Sequence, residues 1–214
     1  MTSKPLGRRT ILATAAGLAV APWIAAGTAH AAVPKIYIDP GHGGTEPGAV
    51  ANGLQEKNLT LNIALQVRNI LTSTYGSRVS IRMSRTTDVT RSLTYRTDDA
   101  NAWGADIFVS IHCNAGGGTG FESFRYPGTA GVTLRLHSNV HSRVLANMRT
   151  IAAVTDRGMK TANFHVLRET VMPAVLTENL FVDRLADANL LKRADFLTAT
   201  ARGHAQGIAA HFGL

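Results

Sequence analysis

Residues 35–44 read Lys35-Ile36-Tyr37-Ile38-Asp39-Pro40-Gly41-His42-Gly43-Gly44, an apolar run that stops at a proline and a glycine-rich bend. The same plan returns at residues 107–118, IFVSIHCNAGGG, and at 173–181, PAVLTENLF. Short runs of β-branched and aromatic residues bounded by turn formers read as buried strands. Working outward, strands are predicted at 35–39, 78–84, 107–112, 121–124, 164–168 and 174–178. Helices are predicted at 58–71, 92–103 and about 132–153, with further helices closing the chain. Leu59, Ile63, Val67 and Ile70 fall on one helical face, and so do Leu197, Ala201, Ile208 and Phe212. This alternation predicts a single-domain α/β fold, a mostly parallel twisted sheet with helices on both faces. Such sheets take their ligands beyond the carboxyl ends of the strands. His42, His112 and Glu178 all fall there, and Glu56, in GLQEKNL, stands just before the first helical face.

Two imidazoles and a carboxylate can hold a zinc ion with one position open, and a further carboxylate beside that position can move protons. Each residue also has an ordinary reading. His42 could be a turn residue, Glu56 a favourable charge at a helix N-terminus, and His112 a satisfied core histidine. Glu178 is the least comfortable of the four, because an unpaired carboxylate ending a buried strand costs free energy unless a cation is near. Asp39 either orients the His42 ring or caps the loop amides. Asn114 is a candidate for substrate amides, and His165 and Arg168 for substrate contact, the alternative for the last two being an ion pair to Glu169 or Glu122. Arg85 and Arg96 read as loop braces. His137 and His141, flanked by Ser138, Asn139 and Ser142, read as a solvated helix face, and His204 as packing.

The first 31 residues read as an export signal: Lys4, Arg8 and Arg9, an apolar stretch from Ile11 to Ala26, then Ala29-His30-Ala31. The stretch falls short of the roughly 20 residues of a membrane span, so cleavage near Ala32 is expected rather than anchoring. Paired arginines before Thr10-Ile11-Leu12 resemble a twin-arginine signal. Residues 32–214 then form one domain, exported to the periplasm, cell wall or medium and expected to act as a monomer. One cysteine, Cys113, precludes an internal disulfide, so the core must carry the stability. The net charge of +8 falls to about +5 without the signal's basic residues, which favours anionic partners such as an acidic cell wall. Nucleic acid is the poorer choice, since no aromatic-interleaved basic patch is present.

IDPGHGG, QEKNLTLNIA, MSRTTD, YRTDDAN, FVSIHCNA, HVLRET and PAVLTENLF occur in that order from about residue 35 to 212. This ordered set resembles the zinc-dependent N-acetylmuramoyl-L-alanine amidases of the amidase-3 type. The resemblance implies that His42, Glu56 and His112 hold zinc and that Glu178 is the catalytic glutamate. It also implies peptidoglycan as the substrate, cleaved between the lactyl group of N-acetylmuramic acid and L-alanine. The chain departs from the family at Asn179-Leu180-Phe181-Val182-Asp183, where a Gly-Phe usually follows the glutamate, and at Cys113, where alanine is common. No inhibitory helix or wall-binding repeat is evident between Gly120 and Lys160. A zinc carboxypeptidase or endopeptidase acting on the stem peptide, and a noncatalytic wall-binding protein, are the alternatives.

Overall fold

The computed structural model describes residues 1–2 and 32–214, so the expected export signal, with Arg8 and Arg9, lies outside the described residues. In chain order the elements are β1 (Lys35–Pro40), β2 (Val50–Ala51), β3 (Leu54–Gln55), α1 (Glu56–Tyr75), β4 (Ser80–Met83), α2 (Leu93–Trp103) and β5 (Ile107–Asn114). There follow β6 (Phe121–Arg125), α3 (Val132–Met148), β7 (Asp156–Thr161), α4 (His165–Arg168), β8 (Ala174–Phe181), α5 (Leu185–Leu191) and α6 (Ala194–Phe212). Six strands form one sheet in the order β4-β1-β5-β8-β6-β7, and β2 with β3 makes a separate hairpin. Within the six-stranded sheet only the β6–β8 pair is antiparallel and the other four pairs run parallel. The expected mostly parallel α/β sheet is therefore present, and Ala32–Leu214 forms one unit.

Alternation along the strands sorts the two faces. Ile36, Ile38, Ile107, Val109, Ile111 and Val175 turn to the side covered by α1, α3 and α6 and form the larger core with Ile63, Val67, Val140 and Ile208. Tyr37, Phe108 and Leu176 turn to the other side, where Ala100 of α2 and Val166 and Leu167 of α4 complete a smaller core. Each such buried aliphatic or aromatic side chain contributes about 1.5–3 kcal/mol, which is how a chain without a disulfide stays folded. Helices α3 and α6 cross closely because Gly203 and Gly207 face the backbone of Val144 and Val140. A Cβ on either glycine would lie 2.5 or 2.6 Å from those Cα atoms. Ser92 caps α2 by accepting from the Tyr95 amide at 3.0 Å.

Three expectations need correction. Residues 164–168 are not a strand; Val166 and Leu167 are adjacent and both buried, which a helical turn allows and an alternating strand does not. Helix α3 ends at Met148, short of the expected 153, and an unpredicted edge strand, β7, follows at Asp156–Thr161, whose polar sequence DRGMKT has no buried residue and carries no strand pattern. His137 and His141 do not lie on a solvated face. They are buried against β6, each bonded at 2.7 Å to the Ser123 hydroxyl.

Candidate metal centre and catalytic cleft

His42 follows β1 by two residues, in the left-handed backbone region at φ 59°. A non-glycine residue there is held by its surroundings, and Arg96 supplies the hold by donating from Nη2 to the His42 carbonyl at 2.8 Å. Glu56 is the first residue of α1, placed there by the β2–β3 hairpin, and His112 lies near the end of β5. The three side chains converge. Glu56 Oε2 is 3.1 Å from His42 Nε2, Glu56 Oε1 is 3.0 Å from His112 Nδ1, and one donor atom from each residue lies within 4.8 Å of the others. The two rings meet edge to face with centroids 5.0 Å apart. Backbone amides fix the carboxylate further, Ala49 donating to Oε2 at 2.9 Å and Cys113 to Oε1 at 3.0 Å.

Two glycines make room for this cluster. A Cβ at Gly41 would stand 2.3 Å from the His112 ring, and one at Gly48 would stand 2.5 Å from Glu56 Oε2 and 2.6 Å from the His42 ring. Burial opposes ionisation of Glu56, yet its bonds with His112 and His42 prevail and hold it well below the usual carboxylate range. An ionised carboxylate between two imidazoles, cradled where no side chain could fit, can bind a metal ion.

Glu178 pairs with His112 across β5 and β8 and with Glu122 across β8 and β6. The three therefore share the face opposite the larger core. Glu178 Oε2 is shielded from solvent and has no hydrogen-bond partner. Burial, then repulsion by Glu56 and Glu122, pushes its carboxyl well above the usual range. Glu122 has the reverse balance: burial is overcome by Lys160 and Arg157, which bond it and hold it low. His42, His112 and Glu178 line one open cleft of about 690 Å³ together with Arg91, Phe164 and His165.

The other candidates divide. His165 lines the cleft, its Nε2 shielded and without a partner. Asn114 donates to Glu122 Oε1 at 2.6 Å and does not line the cleft. Arg168 bonds Glu169 at 2.6 Å and Asn163 at 2.7 Å and lines a separate hollow of about 270 Å³. Asp39 bonds neither the His42 ring nor the loop amides. It is fully buried and accepts from Ser84 Oγ at 2.6 Å, Ser110 Oγ at 2.7 Å and Arg96 Nη1 at 2.5 Å. Its hold on His42 is thus indirect, through the guanidinium that grips the His42 carbonyl. Arg85 braces the same loop as expected, bonding the carbonyls of Pro40 and Gly41. Arg91 and Phe164 carry no sequence signal that marks them as cleft residues.

The sheet and its cleft define an α/β enzyme that works at the carboxyl ends of parallel strands. The profile of the N-acetylmuramoyl-L-alanine amidase family (Amidase_3) matches residues 36–210. The sporulation-specific N-acetylmuramoyl-L-alanine amidase of Bacillus subtilis (strain 168) is 56% identical over 180 residues, 84% of this chain and 69% of that protein. The N-acetylmuramoyl-L-alanine amidase CwlM of Bacillus licheniformis is 57% identical over 180 residues, with the same coverage. Among solved structures, the N-acetylmuramoyl-L-alanine amidase of Clostridium difficile 630 superimposes with a TM-score of 0.79 at 32% identity, covering 85% of this chain and 97% of that one. The chain belongs to the N-acetylmuramoyl-L-alanine amidase family, and it is an enzyme that hydrolyses peptidoglycan.

Proposed function

We propose that this amidase is zinc-dependent, with His42, Glu56 and His112 as the metal ligands and Glu178 as the proton-transfer group, and that it cleaves between the lactyl group of N-acetylmuramic acid and L-alanine. The observation that carries the reading is the convergence of three donor atoms within 4.8 Å, beside a shielded carboxylate oxygen with no partner. Two imidazoles and one carboxylate are a ligand set of catalytic zinc, which keeps a further position for water or substrate. When bound, the ion would polarise the scissile carbonyl and acidify the attacking water.

The side chains then have separate tasks. Glu56, fixed by the amides of Ala49 and Cys113, keeps the two imidazoles facing one point. Glu178 Oε2 takes the proton of the attacking water and hands it to the departing nitrogen of alanine. A cation in the donor set favours its ionised form and so offsets the upward push of burial, leaving it able to act as base and then as acid. No serine or cysteine nucleophile is required, and Cys113, buried below the cluster, has its thiol pushed up by burial and by Glu56 and Glu178.

Export by the twin-arginine route as a folded, monomeric domain completes the proposal; it rests on Arg8-Arg9 and the apolar stretch after them. Among the described residues no helix is long and apolar enough to cross a membrane. The deciding experiment is mass spectrometry of purified peptidoglycan digested by the chain. Free peptides beginning with L-alanine, and uncut glycans whose muramic acid residues bear free lactyl carboxylates, are expected. Products cut within the stem peptide would overturn the assignment.

A further inference from the structure

Three of the buried side-chain atoms that lack a partner, Glu178 Oε2, His165 Nε2 and Arg91 Nε, belong to residues lining the catalytic cleft. Buried polar groups are normally satisfied, so orphans gathered around one cleft mark what a bound substrate completes. Glu178 is explained by proton transfer. Arg91 is not.

The charged groups of the cleft can be taken in turn. Arg96 lines it but is committed, bonding Asp39, the carbonyls of Pro40 and His42 and, from Nε at 3.1 Å, the carbonyl of Arg91 itself. Asp39 is committed to Arg96, Ser84 and Ser110. Glu46 is exposed at the edge of the cleft and forms no ion pair with Arg91 within 4.0 Å. Arg91 is the cation left over. Among the described residues it has no carboxylate partner, and its guanidinium stacks on the Tyr95 ring at 4.3 Å. That stacking orients the planar fork without satisfying its N–H groups. Its position relative to the metal centre is fixed, because Arg96 holds the carbonyls of Arg91 and His42 at once.

We propose that Arg91 is a specificity residue that binds a carboxylate of the peptide leaving group. The inference rests on the amidase reading, and the chemistry of the scissile bond selects the side. The lactyl carboxyl of the sugar is consumed in the amide, so the glycan side offers hydroxyls and acetamides but no carboxylate there. Acidic residues beyond the alanine offer carboxylates, and a guanidinium takes a carboxylate through two parallel N–H···O bonds. Arg91 thus orients the peptide so that the alanine nitrogen faces Glu178.

The test uses the full chain and two probes, N-acetylmuramoyl-L-alanyl-glutamate with its carboxylates free and its bis-carboxamide. Release of alanine amino termini is followed for wild type, Arg91→Ala and Arg91→Lys. Wild type is expected to prefer the acid by about 10- to 100-fold in kcat/KM, mostly through KM, as suits a charge-assisted pair. Arg91→Ala should bring the acid-to-amide ratio close to one, with Arg91→Lys in between. Because the readout is a ratio on one preparation, partial unfolding of a variant cancels. A wild type without preference, or a preference that survives in Arg91→Ala, overturns the role of Arg91 while leaving the amidase intact. Failure of wild type to release alanine amino termini from either probe or from peptidoglycan would instead overturn the amidase reading, and this inference with it.

Discussion

Thr177 and Glu178 are neighbours in β8, yet they face opposite sides of the sheet and meet opposite fates. On the closed side, under α3 and α6, most polar groups are bonded within the fold, although His137 Nδ1 and Asn179 Oδ1 have no partner. His204 donates from Nδ1 to the Thr200 carbonyl at 2.9 Å and accepts at Nε2 from the Thr177 hydroxyl at 2.9 Å. Nearby, His141 bonds Ser123 on one side and Asp156, at 3.0 Å, on the other, with His137 donating into the same hydroxyl. Burial pushes His204 and His137 down to about 4, so these imidazoles are kept neutral. On the open side Glu178 has an oxygen with no partner, and His42, Glu56 and His112 converge on one point. Both sides carry histidines and hydroxyl or carboxylate groups at short range. What separates chemistry from architecture is access: His42, His112 and Glu178 line a cleft that a substrate can enter, whereas His137, His204 and Asn179 are sealed from solvent.

The largest effect expected on the open side comes from its ligands. His42→Ala, Glu56→Ala and His112→Ala should each lose the metal and fall to background activity, as elemental analysis beside product release will show. Full zinc occupancy in one of them would remove that residue from the centre. Glu178→Gln keeps shape and hydrogen-bonding reach but cannot take a proton. It should retain zinc and thermal midpoint while turnover drops by about 10³- to 10⁴-fold, the upper range for a general acid–base group used twice. Near wild-type turnover in a stable, zinc-loaded variant would sink its role, and loss of metal in step with activity would make it a ligand.

Much of the open side is legible in the sequence because its residues sit at element boundaries. His42, His112 and Glu178 each interrupt an apolar run, and Glu56 precedes a helical face, so residue type and position speak together. The closed side is less legible. His137 and His141 stand among Ser138, Asn139 and Ser142, and the partner that buries them, Ser123, comes from a strand in which nothing marks a binding hydroxyl. Asp39 and Arg96 are 57 residues apart, and a pairing at that separation is set by the sheet and α2 rather than by local pattern. The strand β7 is hidden because an edge strand with exposed polar residues lacks the period of a half-buried one. Arg91 is hidden for the same reason in reverse, since a surface-like arginine becomes a cleft residue only once α2 is placed.

The Asp39–Arg96 pair sharpens the comparison, being a satisfied buried unit on the open side. Burial opposes the Asp39 charge, but Arg96 and the two serine hydroxyls hold its carboxyl below the usual range. Asp39→Asn leaves a buried guanidinium without its counter-charge, and removal of one partner of a buried pair costs about 3–5 kcal/mol. Chemical denaturation should show a loss of that size. Zinc affinity should weaken as well, because Arg96 also holds the His42 carbonyl. A variant as stable as wild type would mean that the serines and carbonyls suffice for Arg96.

The smallest effect tests the closed side through pH. His204 titrates near its ordinary 6.5 in the unfolded chain and at about 4 in the folded one. Between those values the unfolded chain binds the proton and the folded chain does not, so acidification favours unfolding. The stability due to neutral His204 is complete above about pH 6.5 and is lost progressively as the pH falls to about 4. A displacement of that size corresponds to about 3 kcal/mol. His137 adds a loss of the same sign over the same window, whereas Asp39, with its depressed carboxyl, yields only below the carboxylate range. His204→Gln removes one titrating group while keeping an amide within reach of Thr177. Its stability at pH 7 should be somewhat reduced, but its decline between pH 6.5 and 4.5 should be distinctly shallower than that of wild type, measured by urea unfolding at fixed ionic strength. If the two declines run parallel, His204 takes up a proton in the folded chain as readily as in the unfolded one, and the closed side is not closed.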